Sequence, residues 1–444
     1  MEHLGLTFLE ETIPFEALSP ESIQIGKASM LNASAAGLAG ASQQQAISIS
    51  NLVQTMGSIG KCTLIGMGVR TSPIYAAFGN SAIISILDYA EEIPTSHYSL
   101  SSIIFPIVMA LGEANGYTGK EVLRAYLLGL EYTSHILEVT NRAENNFYNC
   151  VSLGGFLSAS LLLKLNDQQF HQGLCMLLSG YNESISEPHS NLNSFTNAKT
   201  AMTTITTSLS LSKNFNIDDF SLPTLEHHLA KLGLKADTHN QILTTLASNS
   251  LLKHNGLAFK LYPCPSSSHE SIEAILQLLQ LYDFSHNDIQ NVVISVPPRS
   301  FTELNTVPPK TEFELKSSLP FIAASTLMYG QPLIEQFTPT CFYDPELNAC
   351  MDKIKILENQ NLNVSTPRAT EVSITLESGQ NLKTTVEFAQ GTSQIPLETP
   401  ELEAKFLYCS RYILPPDHIE GAVYQIGNLE NIHDITGLVS ILGG

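Results

Sequence analysis

The chain has 444 residues, enough for two or three domains, and 43% of them are hydrophobic, so each domain can bury a core. Acidic side chains outnumber basic ones by 42 to 22, a formal charge of -20. A surface of that sign repels phosphate backbones and anionic lipid heads, which argues against nucleic acid and membrane as partners. The first residues, MEHLGLTFLEETIPFEAL, lack a basic segment followed by an apolar run, and the apolar stretch from Ile103 to Leu111 is broken by Pro106 and too short to span a bilayer. A cytoplasmic protein is the expectation. Seven scattered cysteines, an odd number without a Cys-x-x-Cys pair, read as reduced thiols and point to neither disulfides nor a metal site.

In chain order, Ser19-Pro20-Glu21 combines an N-cap hydroxyl, a proline in the first turn and an early acid, and starts a helix running to about Asn32. Small residues fill Ser34 to Ala41, where helices can approach closely, and another helix begins near Gln44. Gly79-Asn80 reads as a small-residue turn, followed by an apolar run that delivers Asp88 to its end. The acidic loop after it contains Glu91, Glu92 and Pro94 and ends in His97. A carboxylate and an imidazole nine positions apart, one at an element's end and one in the next loop, make an acid/base pair across a cleft. Glu91 and Glu92 read first as a solvated acidic loop, with Glu92 also a candidate substrate contact.

From Gly119, apolar residues at Val122, Leu123, Tyr126, Leu127, Leu130 and Ile136 recur at helical spacing. Gly154 to Leu165 suits a helix buried on all sides, and Gln168 to Leu178 makes another. A polar loop over Tyr181 to Asn197 precedes a helical run at Thr200 to Leu211 and a capped segment near Asp218. The pattern changes after Lys260-Leu-Tyr-Pro263. His269 to Tyr282 and Ser318 to Tyr329 read as helices, and Val292 to Val296 and Lys353 to Leu357 as strands. Glu371 to Leu376 and Asn381 to Phe388 form a hairpin about Ser378-Gly379. The segment from Glu401 is helical again. The expected architecture is mainly α: a large helical domain over 1–262, to which 397–444 returns, and a smaller α+β lid domain over 263–396.

Several motifs, in order, resemble the MmgE/PrpD family, which includes 2-methylcitrate dehydratase, cis-aconitate decarboxylase and iminodisuccinate epimerase. They are Met30 to Gly40, Asn80 through Leu87-Asp88-Tyr89-Ala90-Glu91, His97-Tyr98-Ser99, Gly119 to Leu123, Gly129-Leu-Glu131, Phe147 to Gly154, Lys260-Leu-Tyr-Pro263 with His269, and Ser318-Leu-Pro-Phe321. The resemblance implies a helical domain, a lid over a cleft and a homodimer. It also carries departures: Asn32 replaces an aspartate, Asn193 stands at a lysine position, Tyr148 at a histidine, Phe321 at a tyrosine, and Ala90-Glu91 at an Asp-Asp pair. Lys199 could restore the missing lysine only if its loop were re-routed. Burying carboxylates without cationic partners costs several kcal/mol each, so the losses argue for a substrate less charged than a tricarboxylate.

His269 follows three serines at a helix start, where free N–H groups and the dipole favour an anion and disfavour imidazolium. These features together point to a lyase or isomerase that removes a proton next to a carboxylate or carbonyl. In that reading His269 is base or acid, His97 its partner on the opposite face, and Asp88 orients and polarises the imidazole. Asn193, Lys260 and Ser268 hold the substrate, with Tyr148, Phe321 and Glu92 beside it. No glycine-rich phosphate loop or ligand cluster calls for a metal or organic cofactor. The alternative is a dimeric scaffold that keeps the fold without the activity.

Overall fold

The computed structural model describes residues 5–57, 59–93, 98–140, 143–179, 191–215, 222–246, 252, 256–363 and 368–444. Ser19 caps the first long helix, its Oγ accepting from Ser22 N, and the helix runs through the small-residue stretch to Ala41 instead of stopping at Asn32. Small residues are required there because helices cross at short range: a Cβ on Gly40 would stand 2.0 Å from the carbonyl oxygen of Ile83. Gly79 and Asn80 form no turn. They lie inside the Pro73–Ser85 helix, where Asn80 Oδ1 accepts from Ile65 N at 2.8 Å and its Nδ2 donates to Thr63 O at 2.9 Å. The amide serves as a cross-tie to a short hairpin, Cys62–Leu64 paired with Val69–Thr71, whose brief strands gave no alternating pattern in the sequence.

Helices Ser101–Asn115, Gly119–Thr140, Ala143–Leu163, Asp167–Ser179 and Asn191–Ser212 complete the helical body. The last begins within the expected Tyr181 to Asn197 loop, so Asn193 is helical; the segment near Asp218 lies outside the described residues. One helix among the described residues, Asn146–Leu163, is long and apolar enough to cross a membrane, and 89% of it is buried within the fold. All seven cysteines are free.

A second architecture occupies the other apolar core, drawn from residues between Ala274 and Val386. Its four-stranded sheet has the order Ile354–Glu358, Ile289–Val296, Thr370–Leu376, Asn381–Val386. The first pair is parallel and the others antiparallel. Thr370, Val372, Ile374 and Leu376 alternate inward with partly exposed neighbours, the period-two burial of a sheet covered on one face. Helices His269–Leu281 and Leu319–Tyr329 pack against it. The chain then returns, and the Thr399–Ser410 helix packs on Pro20–Ala41. The architecture is mainly α with a smaller α+β region.

One tightly packed helix pair gives a stability test. A Cβ on Gly154 would lie 1.9 Å from Thr133 Oγ1 and 2.5 Å from Gly129 O, so the Ala143–Leu163 and Gly119–Thr140 helices must separate to admit it. Gly154→Ala is expected to lose about 1–3 kcal/mol of stability by overpacking, read as a lower urea midpoint at unchanged slope; an unchanged midpoint would contradict the packing.

Candidate functional site

Ser72 and Pro73 start the Pro73–Ser85 helix, which leads into Asp88. Asp88 has φ of 52°, a left-handed conformation that a short polar side chain tolerates better than most. There its carboxylate meets Lys260: Lys260 Nζ donates to Asp88 Oδ1 at 2.8 Å and to Asp88 O at 3.2 Å, and lies 3.4 Å from Glu92 Oε2. Burial opposes the lysine's charge, but Asp88 and Glu92 more than offset it and raise its pKa. Two backbone hydrogen bonds between Glu92 and Ala258, 3.0 and 2.9 Å, sew the two segments together.

Glu91 and Glu92 are not solvated; each is 1% exposed. Glu92 accepts from Arg368 Nη2 at 3.1 Å and from Ser266 Oγ. Glu91 accepts from Ser29 Oγ and Asn32 Nδ2, both at 2.6 Å. The acidic run looked like a surface because its partners lie far away in the chain. Lys316 is buried on the same side, donating to Ile86 O at 2.9 Å, and burial lowers its pKa while Asp88 opposes the shift.

His269 is buried beside this ionic cluster, its ring edge-on to Tyr262 at 5.1 Å, and its Nε2 makes no hydrogen bond. Burial, then the charge of Lys260, brings its pKa down to about 3, with Glu92 opposing. The imidazole is therefore neutral across the physiological range. Ser268 is not free for a ligand, because its hydroxyl donates to Pro265 O at 2.6 Å and touches Cys264 Sγ at 3.2 Å. Among the described residues, the buried hydroxyls without partners include those of Ser267 and Ser271, two positions before and two after His269 in sequence. Glu270 is buried too, with Oε2 unpartnered, and burial pushes its pKa up to about 7 against the pull of Arg368.

On the other side of Asp88 lies a small cavity lined by Ser85, Asp88, Ser99, Ser102, Asn193 and Asn197 among others. Its free space is about 20 Å³, room for about one water, so a carboxylic acid can enter only if the walls part. Tyr148 donates to Asn193 Oδ1, and Tyr98 stacks on Phe147 at 4.4 Å behind it. Lys199 does not take the place of Asn193: it lies on the exposed face of the same helix, over the Phe195 ring. Asp88 thus joins the ionic cluster to the cavity. Phe321 joins neither, being fully buried in the small domain's core with its ring 5.9 Å from Phe337. His97 lies outside the described residues.

Residues 8–215 match the MmgE/PrpD N-terminal domain, and residues 262–425 match the MmgE/PrpD C-terminal domain. The chain belongs to the MmgE/PrpD family. Cis-aconitate decarboxylase of Homo sapiens is 23% identical over 85% of this chain and 80% of its own length, and that of Mus musculus 24% identical over 84% and 79%. A cis-aconitate decarboxylase-like protein of Aspergillus oryzae is 21% identical over 42% of this chain and 40% of its own. These relatives support an enzyme of the dehydratase or decarboxylase type for this MmgE/PrpD chain.

Four charged groups of the cluster escaped the sequence reading: Lys316, Arg368, Lys405 and Glu270. Lys316 stands two residues before the Ser318-Leu-Pro motif and Glu270 directly follows His269, so adjacency was a usable signal for both. Arg368 and Lys405 carried none, since only the folded chain brings them in.

The buried titratable pair predicts opposing pH effects on stability. A His269 held at about 3, below its ordinary 6.5, lets the unfolded chain take up a proton that the folded one refuses, so stability falls as pH drops from 6.5 towards 3. Glu270 works the other way: its pKa of about 7 against 4.5 makes stability fall as pH rises from 4.5 to 7. Melting temperature followed against pH should show a shallower acid-side loss in His269→Asn and a shallower loss towards neutrality in Glu270→Gln. Slopes identical to wild type in both variants would refute these environments.

Proposed function

We propose that this MmgE/PrpD chain is a cofactor-independent lyase or isomerase that abstracts a proton α to a substrate carboxylate or carbonyl, with His269 as the base. The observation that carries this reading is the buried neutral imidazole whose Nε2 has no hydrogen-bond partner among the described residues, within the electrostatic reach of Lys260 and Arg368. Proton removal next to a carboxylate builds negative charge on its oxygens, and fixed cations in a water-poor cleft stabilise that charge. The same arrangement answers the weakness of a base held at about 3. An arriving carboxylate offsets the neighbouring cations and raises the basicity of the imidazole where the proton must be taken.

Asp88, bound to Lys260 and facing the cavity, would orient the reacting group, and His97 would exchange a proton on the opposite face. In dehydration the C–H electrons expel a β-hydroxyl, which leaves as water after taking a proton from the acid; in epimerisation a proton is returned to the other face; in decarboxylation the carboxylate leaves as carbon dioxide while the C–C electrons stay on carbon and take a proton from the acid. The decarboxylation named for the relatives belongs to this set. Among the described residues, amides and hydroxyls and no cation line the cavity beside Asp88. That supports an acid with fewer charges than a tricarboxylate, its neutral polar end at Asn193 and Tyr148 and its carboxylate towards Lys260 and Arg368. A cytoplasmic homodimer is part of the same proposal.

Proton exchange is the direct test. Incubated in deuterated water with a panel of di- and tricarboxylates, amides and esters, the wild type should label at least one compound at the α-carbon by mass spectrometry. His269→Asn should lose about 100-fold or more of that rate, the usual contribution of a positioned base. Equal labelling by wild type and variant would remove His269 from the role; no labelling of any compound would favour the inactive scaffold.

A further inference from the structure

We infer that Lys405 is a positioning residue for this reaction, a strut that holds the Asp88 loop and the Lys260 segment at a fixed separation from behind. The inference rests on the reading of the site as a proton-transfer centre. Lys405 projects from the Thr399–Ser410 helix and is 5% exposed. Its Nζ donates to Tyr89 O at 2.7 Å, to Lys260 O at 2.8 Å and to Asn32 Oδ1 at 2.6 Å. It also lies 3.8 Å from the centroid of the Tyr89 ring.

Two of these oxygens sit at or next to the residues that form the central ion pair: one is the carbonyl of Lys260 itself, the other that of the residue after Asp88. A single nitrogen therefore grips both backbones from which the paired side chains spring. Burial brings the Lys405 pKa down to about 7; in its ammonium form it has three protons and no acceptor, and three oxygens take all three. Nothing is left over for a substrate, so the residue acts through others.

The neighbours repeat the same connection. Tyr89 OH donates to Leu261 O at 2.7 Å, a second tie between the two segments. Asn32 passes the constraint onward, donating through Nδ2 to Glu91 Oε2 at 2.6 Å, while Glu91 is held by Ser29. Three parts of the chain distant in sequence thus converge on Lys405: the small-residue helix, the Asp88 loop and the Lys260 segment. A shift of about 1 Å between a catalytic group and its substrate can cost about 100-fold in rate, so a strut at this point governs turnover without contacting the reacting atoms.

The test compares Lys405→Met with Gly154→Ala, which is destabilised by a contact remote from the ionic cluster. With whichever acid the wild type labels in deuterated water, Lys405→Met should lower kcat at least tenfold and change KM less than threefold. Gly154→Ala should keep kcat within twofold. Amide hydrogen exchange of Glu92 and Ala258, whose N–H groups bridge the two segments, should accelerate at least tenfold in Lys405→Met, while that of Val122 to Ile136 stays unchanged. If Lys405→Met does not fold, Asn32→Ala removes one of the three acceptors and should move kcat and the same amides in the same direction, by about threefold. Wild-type kcat, or unaltered protection of Glu92 and Ala258, in a folded variant would overturn the strut. If the wild type labels no acid at all, the lyase reading fails and the amide exchange alone judges Lys405.

Discussion

A lysine ammonium 2% exposed at its side chain cannot stay charged in a protein interior unless anions hold it there, and Lys260 is such a group. Asp88 and Glu92 supply the charge, and much else follows from keeping them in place. Asp88 must turn through a left-handed backbone to reach the ammonium. Glu92, facing Lys260 with one oxygen, needs Arg368 and Ser266 for the other. The segments bearing these groups are tied by backbone bonds and by Lys405. Buried ion pairs contribute little net stability compared with apolar packing, whereas removing one partner costs about 3–5 kcal/mol. Such a cluster is better explained by what its charges do to a ligand than by what they add to the fold.

The cluster also sets the electrical character of the neighbouring histidine. Neutral His269 is a consequence of burial and of the cations assembled for Lys260's surroundings, and no partner of its own is needed to keep it so. On the proposed reading, an anion brought beside Lys260 and Arg368 would offset their charges and raise the basicity of the imidazole. Glu270 follows the reverse logic: it is buried and stays partly protonated near neutrality, where Arg368 alone does not overcome desolvation. Adjacent positions on one helix start consequently hold a neutral base and a neutral acid.

Much of the fold was legible in the sequence because its determinants are local. Ser19 before Pro20 caps the helix its hydroxyl announced, the helix expected over Ser318 to Tyr329 forms as Leu319–Tyr329, and alternation about Ser378-Gly379 marked the Thr370–Leu376 and Asn381–Val386 pair. The misreadings have a common cause. Gly79-Asn80 has turn composition, but Asn80 spends its amide on Thr63 and Ile65, which no local window contains. Glu91 and Glu92 were read as solvated because charge patterning speaks only for neighbours, and Arg368 lies hundreds of positions away. Phe321 was placed at the site by its motif, yet without a hydroxyl to satisfy it packs wholly into the apolar core. Ser268 lies in the serine triplet singled out in the sequence, but its hydroxyl is turned onto Pro265 O, while that of Ser267 has no partner among the described residues.

The departures from the family pattern form a consistent set once placed together. Asn32 stands where the resemblance implies an aspartate, and its amide is what this neighbourhood requires: Oδ1 receives a proton from Lys405 while Nδ2 gives one to Glu91. A carboxylate there would face another carboxylate at 2.6 Å and could bond it only by keeping a proton of its own. Asn193 and Tyr148, at the lysine and histidine positions, bond each other and bring no charge to the cavity wall. Neutral groups thus stand where the resemblance implies ionic ones both behind the ionic cluster and across the cavity from it, while Lys260 and Arg368 act on His269. On the proposed reading of the site, a pocket with charge at one end and neutral amides at the other would discriminate by where a ligand carries its carboxylate, since an anion directed at the amide wall would forfeit hydration without gaining a counter-charge.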